Sequence, residues 1–292
     1  MKYLEKHPMI MVALGLLGVS VSAIFVRLSD APSAVTAACR LIWTVLLLSP
    51  VTLLRKETRQ ELKNMGKTNL LLCLVSGVFL AIHFVLWFES LKHTSVASST
   101  VIVCTEVIWV SLGYCMFMGG KISLKAAAAI AVSLAGSVII ALSDSGTGGQ
   151  HMLGDILSLL SAVAVAVYVL IGRAVRKTVS TTASTYVVYS ASAAALLLIT
   201  LGQGYSAADF SGSAILVGFL LAVFSTIMGH SVFTWCLKYL SPSFVSASKL
   251  AEPVLASIIA VFVFSEIPSA GQLIGGVIIL AGVLAYSRLE KE

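Results

Sequence analysis

LKHTSVASSTVIVCTEVIWV at Leu91–Val110 and LKYLSPSFVSASKLAEPVLA at Leu237–Ala256 lie 146 positions apart, half the length of a 292-residue chain. Laid on one another without a gap, they match Leu91-Lys92 to Leu237-Lys238, Ser95 to Ser241 and Glu106 to Glu252. Further along, the same shift pairs Ser111 with Ser257, Ser123 with Ser269, and Ala135-Gly136 with Ala281-Gly282. Chance supplies small-residue matches readily, but a glutamate matched to a glutamate inside an apolar run is harder to dismiss. The chain therefore reads as two halves, residues 1–146 and 147–292.

The composition says what kind of halves these are. With 58% hydrophobic and 11% charged residues, the chain is far from a soluble domain, where about a quarter of the residues carry charge. Apolar runs near 9–26, 33–54, 70–91, 96–118, 124–142, 154–172, 183–201, 213–237, 243–264 and 270–287 each approach the roughly 20 residues that cross a bilayer as a helix. The expected fold is an all-α polytopic membrane protein of ten transmembrane helices. Five helices per half is an odd number, so the second half lies inverted relative to the first, around a central cavity. Ten spans leave no soluble module, which excludes nucleotide-driven pumps, kinases and DNA-binding factors.

Charge placement supports the count. With the amino terminus inside, Lys2, Lys6, the Arg55–Lys67 cluster, Lys121, Lys125, Arg173, Arg176, Lys177, Lys238, Arg288 and Lys291 all fall in inside connections. Only Arg27 and Lys92 fall outside, both at span ends, which satisfies the positive-inside rule with both termini cytoplasmic. The net charge of +6 is thereby explained by topology, and no nucleic-acid partner is expected. Cys39, Cys73, Cys104, Cys115 and Cys236 sit in apolar stretches without ligand spacing, so they read as apolar fillers, and no metal or cofactor is expected. The amino-terminal apolar run lacks a convincing cleavage site and reads as a retained first helix.

Two longer segments, FLAIHFVLWFESLKHTSVASSTVIVCTEVIWV and WCLKYLSPSFVSASKLAEPVLASIIAVFVFSEIPSAGQLIGGVIILAGVLA, resemble the paired third-to-fifth-helix signatures of EamA-type carriers of the drug/metabolite transporter superfamily. The likeness runs through AACRLIW in the second span and covers the whole chain. It implies a ten-helix secondary carrier, often a metabolite or amino-acid exporter, with a cavity lined by helices one, three, four, six, eight and nine. One departure matters. The family's second-half Glu-Pro is kept as Glu252-Pro253, whereas the first half reads Glu106-Val107, without its usual proline. A local break is expected at Pro253 and is in doubt in the fourth span.

Ionisable groups within spans are costly and usually face a cavity or each other. They are Arg40, His83, Glu106, His230, Lys249 and Glu252. Lys249 and Glu252, three apart, can pair within one helical turn, which is the structural reading. The functional reading makes Glu106, Glu252 or both bind substrate or carry a coupling proton, since pseudo-symmetry brings the two carboxylates together. A glutamate could hold an ammonium group while Lys249 holds a carboxylate, as an amino acid would require. Phe79, His83 and Trp87 fall on one face of the third span; His83 and Trp87 are expected to line the cavity, as are Tyr168, the +146 counterpart of Ser22, and His230. His230 and Trp235 cannot both do so easily, and His230 is preferred. Arg40 is expected to be structural, bonding carbonyls or reaching outward. Glu89 and Lys92 are expected to form a solvated pair. Gly271, Gly275, Gly276 and Gly282 give the tenth span a small-residue packing face, within the chain or across a homodimer.

The leading expectation is a secondary transporter in a prokaryotic inner membrane, exporting amino acids or related amines by alternating access, with protons as the candidate coupling ion. Purine-like or cationic drug-like compounds are the alternative. An intramembrane enzyme would need a recognisable metal or nucleophile constellation, which the spacing does not provide. A non-transporting receptor or assembly subunit would have little reason to bury two carboxylates and a lysine in matched halves.

Overall fold

A computed structural model describes residues 7–94, 96–144, 151–264 and 269–289. Each of the ten predicted stretches is helical, and the described residues contain no strand. The helices are α1 (Pro8–Arg27), α2 (Ser33–Leu54), α3 (Lys67–His93), α4 (Val96–Cys104 followed by Glu106–Met118), α5 (Leu124–Asp144) and α6 (His151–Val175). After them come α7 (Thr181–Gly202), α8 (Gly212–Cys236), α9 (Pro242–Ser248, a 3₁₀ turn Lys249–Ala251, then Glu252–Phe264) and α10 (Ala270–Leu289).

Seven of these are long and apolar enough by themselves to cross a membrane, among them α3 with 27 residues and a mean hydropathy of 2.5. At 1.5 Å per residue such a helix exceeds the roughly 30 Å hydrocarbon core. Large apolar side chains such as Leu54, Phe117, Leu124 and Phe262 are about four-fifths exposed or more, as a surface solvated by lipid requires. The molecule is a polytopic all-α membrane protein.

Under the 146-residue shift α1 corresponds to α6, α2 to α7, α3 to α8 and α5 to α10. Packing follows the same pairing: α3 lies on α6 and α7, α8 lies on α1 and α2, α2 lies on α7, and α5 lies on α10. The α5–α10 crossing is reciprocal residue by residue. A Cβ on Gly136 would stand 2.7 Å from the Gly275 carbonyl oxygen and 2.9 Å from Ile279; one on Gly282 would meet Ala129 and Ser133. Ala129 and Ser133 are the counterparts of Gly275 and Ile279. Ser133 Oγ donates across this contact to the Ile279 carbonyl at 3.4 Å.

One end of the bundle is tied by polar contacts. Glu61, in the short helix Lys56–Lys63, accepts the Ser180 backbone N–H at 2.6 Å, which places a carboxylate at the amino end of α7. Arg173 donates to the carbonyls of Leu237 and Leu240 past the end of α8. At the opposite end Thr94 Oγ1 donates to Asp155 Oδ1 at 2.9 Å.

Candidate functional site

Both α4 and α9 are interrupted, at corresponding positions and for different local reasons. In α9, Pro253 has no N–H to donate to the carbonyl of Lys249, four residues back. That carbonyl instead takes the Glu252 N–H in a 3₁₀ turn and lies 3.7 Å from the Cys104 thiol, which donates to it. In α4 the break occurs without a proline, contrary to the doubt raised by Glu106-Val107. Thr105 Oγ1 donates to the Ile102 carbonyl at 2.6 Å, and two i-to-i−3 backbone bonds, Thr105 to Ile102 and Ile108 to Thr105, tighten the chain there. A threonine hydroxyl competing for a helix carbonyl is a known source of such bends.

Each break is followed at once by a glutamate, Glu106 at the start of Glu106–Met118 and Glu252 at the start of Glu252–Phe264. The amino end of a helix favours negative charge, so both carboxylates sit where the backbone dipoles help to hold them. The two breaks face one another. Lys249 Nζ donates to Glu106 Oε1 at 2.9 Å in a buried ion pair, with the ammonium also 5.3 Å from the Phe233 ring. This corrects the expected Lys249–Glu252 pair: the lysine reaches across to the other broken helix rather than along its own. The Glu252 carboxylate makes no hydrogen bond or ion pair among the described residues.

These groups line a small central cavity of about 40 Å³, enough for about three water molecules. Glu106, Lys249 and Glu252 enter it from α4 and α9, His83 and Trp87 from α3, and His230 from α8. The rings of His83 and Trp87 stack nearly parallel, 10° apart with centroids 6.2 Å apart, and His230 stands 6.3 Å from His83. Ser161 Oγ donates to the His83 carbonyl at 3.0 Å, so its contact of 2.8 Å with Nδ1 makes Nδ1 the donor. The Nδ1 contact with the Ser161 carbonyl at 3.2 Å agrees. In a neutral ring Nε2 is then left as an acceptor.

His230 lies in a stretch of α8, Leu221–Ser231, that winds with π-type bonds. Thr226 Oγ1 donates to the carbonyl of Leu221, five residues back, in keeping with that winding. Such insertions are frequent where a helix carries function.

Tyr168 does not line this cavity. Its hydroxyl shares a hydrogen bond of 2.9 Å with Thr234 Oγ1, and its ring packs 6.0 Å from His230, one layer behind the wall. Trp235 packs on Tyr239 instead, so His230 is the α8 residue that reaches the cavity. Phe79 is half-buried at its position on α3 and is not among the residues that line the cavity, leaving His83 and Trp87 as the inner part of that face. Glu89 and Lys92 form the expected solvated pair at 3.2 Å, joined by His93.

Arg40 has other partners than those expected of it. It neither reaches outward nor bonds carbonyls. Wholly buried, it donates through Nε to Thr226 Oγ1 at 2.7 Å and through a terminal nitrogen to Ser22 Oγ at 3.3 Å. Its guanidinium carbon lies 4.0 Å above the Phe84 ring, and the side chain lines the same cavity. The cost of burying a charge, which singles out the glutamates, points equally to Arg40; the resemblance points away from it, because it does not place the second helix at the cavity.

A second cavity of about 180 Å³ lies toward the end bearing Arg27 and Lys92, lined also by Val26, Phe88 and Leu91. Along α1 and α3 it adjoins the central one, for Ser22 and Trp87 line the central cavity and the next residues, Ala23 and Phe88, line this one. Among the described residues no cluster of three or more metal-ligating side chains occurs.

Comparison with known proteins places this arrangement. The sequence model of the EamA-like transporter family matches residues 7–142 and again residues 152–288. Two proteins of Archaeoglobus fulgidus, each named only as an uncharacterized transporter, are 23% and 25% identical, over 75% and 68% of this chain and 75% and 69% of their own. A solved crystal structure superposes with a TM-score of 0.78 at 18% identity over 98% of both chains, a likeness of fold.

Proposed function

We propose, from the premise that the chain belongs to the EamA-like transporter family, that it moves small amine-bearing metabolites, amino acids first, out of the cell by alternating access. The observation that carries the reading is Glu252. It is a buried carboxylate without a direct partner among the described residues, placed at a helix break in a cavity walled by aromatic rings. Such a group suits an ammonium ion, and it can also take a proton from one side and surrender it when substrate arrives.

The two halves, 1–146 and 147–292, act in this reading as inverted repeats that rock about the central cavity. The reciprocal α5–α10 crossing and the matched breaks support it. A cavity that admits about three waters must open before an amino acid can load, and the 40 Å³ core beside a 180 Å³ outer vestibule suits a carrier closed at its centre. The membrane in this reading is a prokaryotic inner membrane with both termini in the cytoplasm, and the carrier works as a monomer or a homodimer. Cationic aromatic compounds are the second reading, favoured by the His83–Trp87 stack.

The test is labelled flux in proteoliposomes against amino acids and organic amines, with and without an imposed pH gradient. Uphill movement driven by the gradient and lost in Glu252→Gln supports proton-coupled transport. Downhill flux indifferent to pH and unchanged by Glu252→Gln removes the coupling role.

A further inference from the structure

Lys249 is occupied by Glu106, so it is not free to receive a carboxylate from a ligand. Two other donors in the same cavity are. Arg40 spends Nε and one terminal nitrogen on the hydroxyls of Thr226 and Ser22, and its second terminal nitrogen has no hydrogen-bond partner among the described residues. Trp87, 4% exposed, has its indole N–H likewise unpartnered. Both groups are held still. The guanidinium is stacked 4.0 Å over Phe84 and pinned at two nitrogens, and the indole is stacked on His83.

Every direct hydrogen-bond partner of Arg40 among the described residues is neutral. A permanently charged guanidinium at membrane depth normally sits against a carboxylate, and Glu252 lines this same cavity without coming into ion-pair contact. The scaffold therefore holds a cation and an anion apart across a shared space, while Lys249 and Glu106 neutralise each other beside them. We infer that Arg40 and Trp87 form the subsite for a carboxylate on the transported molecule, with Glu252 receiving its ammonium end. The substrate class is then a zwitterion bearing both groups. This deepens the transport reading and rests on it.

The chemistry supplies a selectivity rule. A guanidinium with one free terminal nitrogen and a fixed indole N–H on the wall of the same small cavity each offer a donor to a carboxylate held there. An amide or ester of the same molecule loses the charge, and the decarboxylated amine leaves both donors buried and unpaired. Sites built around such donors reject ligands that lack the acceptor by roughly a hundredfold or more.

The experiment uses the full chain in proteoliposomes. Flux of labelled L-leucine, L-threonine and L-phenylalanine is competed by each parent acid, its amide, its methyl ester and the corresponding decarboxylated amine. Thermal shift of the purified protein with the same compounds is measured in parallel. The expected result is a preference for the free acid of about a hundredfold, reduced to about tenfold or less by Trp87→Phe, which keeps a ring and removes the N–H, and by Arg40→Lys. Trp87→Phe carries the test if Arg40→Lys does not fold. Equal competition by amides and amines, with flux still dependent on Glu252, overturns the carboxylate subsite and leaves the transport reading intact. Neither flux nor thermal shift with any free acid overturns both.

Discussion

Lys249 Nζ and Glu106 Oε1 meet at 2.9 Å between two helices that both break at this depth, joining residues 143 positions apart. The pair is a cross-link between the halves of the chain. Removing one partner of a buried pair strands the other charge, at a cost of about 3–5 kcal/mol, whereas replacing both by apolar groups of similar size is often neutral. Glu106→Ala is expected to destabilise by that amount in equilibrium unfolding from mixed micelles, and Lys249→Met combined with Glu106→Leu to recover most of it. A loss below about 1 kcal/mol for the single variant, the scale of a solvated pair, would show that the contact does not hold the halves together.

The break in α9 has a single covalent cause. Pro253→Ala returns the N–H that the Lys249 carbonyl lacks, so the 3₁₀ turn can relax into continuous α-helix. Flux is expected to fall while the melting temperature holds or rises, because the gain in helix regularity comes at the expense of the Glu252 position. Unchanged flux would mean that the broken geometry is not used.

At the α5–α10 crossing the sign of a small change is informative. Glycine to alanine inside a helix ordinarily stabilises by about 0.5–1 kcal/mol, and at Gly202, where an added methyl would meet nothing within 4 Å, the change should be neutral or follow that rule. Gly136→Ala puts its methyl 2.7 Å from the Gly275 carbonyl oxygen and is expected to destabilise by about 1–3 kcal/mol. Thermal unfolding of the two variants side by side checks the close approach.

Orientation is open to chemical labelling. In a background without the native cysteines, Asn64→Cys marks the exposed basic end and Gln203→Cys the exposed far end of α7. A membrane-impermeant maleimide applied to intact cells is expected to label Gln203→Cys and to spare Asn64→Cys. The opposite pattern would turn the molecule over in the membrane.

Ser161 fixes the His83 ring by accepting from Nδ1 at its Oγ and at its carbonyl, while its Oγ donates to the His83 backbone carbonyl. Ser161→Ala leaves Nδ1 only the longer contact with the residue 161 carbonyl and takes the hydroxyl donor from the His83 carbonyl, and a buried polar group that loses its partner costs about 1–3 kcal/mol. A flux decrease of about tenfold with normal membrane insertion is expected if His83 acts at the cavity wall, since about 1.4 kcal/mol corresponds to a factor of ten. No decrease would make His83 a packing residue.

Much of the cavity is legible in the chain because a charge in hydrocarbon is expensive wherever it occurs. Glu106, Lys249, Glu252, His83 and His230 can be picked out by type and position alone, and the structure gathers them with Trp87 around one space. Tyr168 is singled out by the shift register and the helix it lies on, and those say nothing of which neighbour a hydroxyl will find; Thr234 takes it. The break at Thr105 is not legible in the same way. An absent proline argues against a break, while a side-chain hydroxyl competing for the Ile102 carbonyl leaves no comparable mark in the sequence.

The sequence by itself determined that this is an all-α membrane protein of helices with apolar outer faces, since hydropathy and span length are sums over neighbouring residues and need no partner. It also showed which residues recur at a shift of 146 positions, because such matches are a property of the string. Only the tertiary structure decided who pairs with whom. Lys249 has Glu252 three residues away yet bonds Glu106, and Arg40 ends beside Phe84, Ser22 and Thr226 rather than at the membrane surface. A long charged side chain in a low-dielectric interior takes the best partner within reach in three dimensions, and that reach is set by helix packing, on which local spacing is silent.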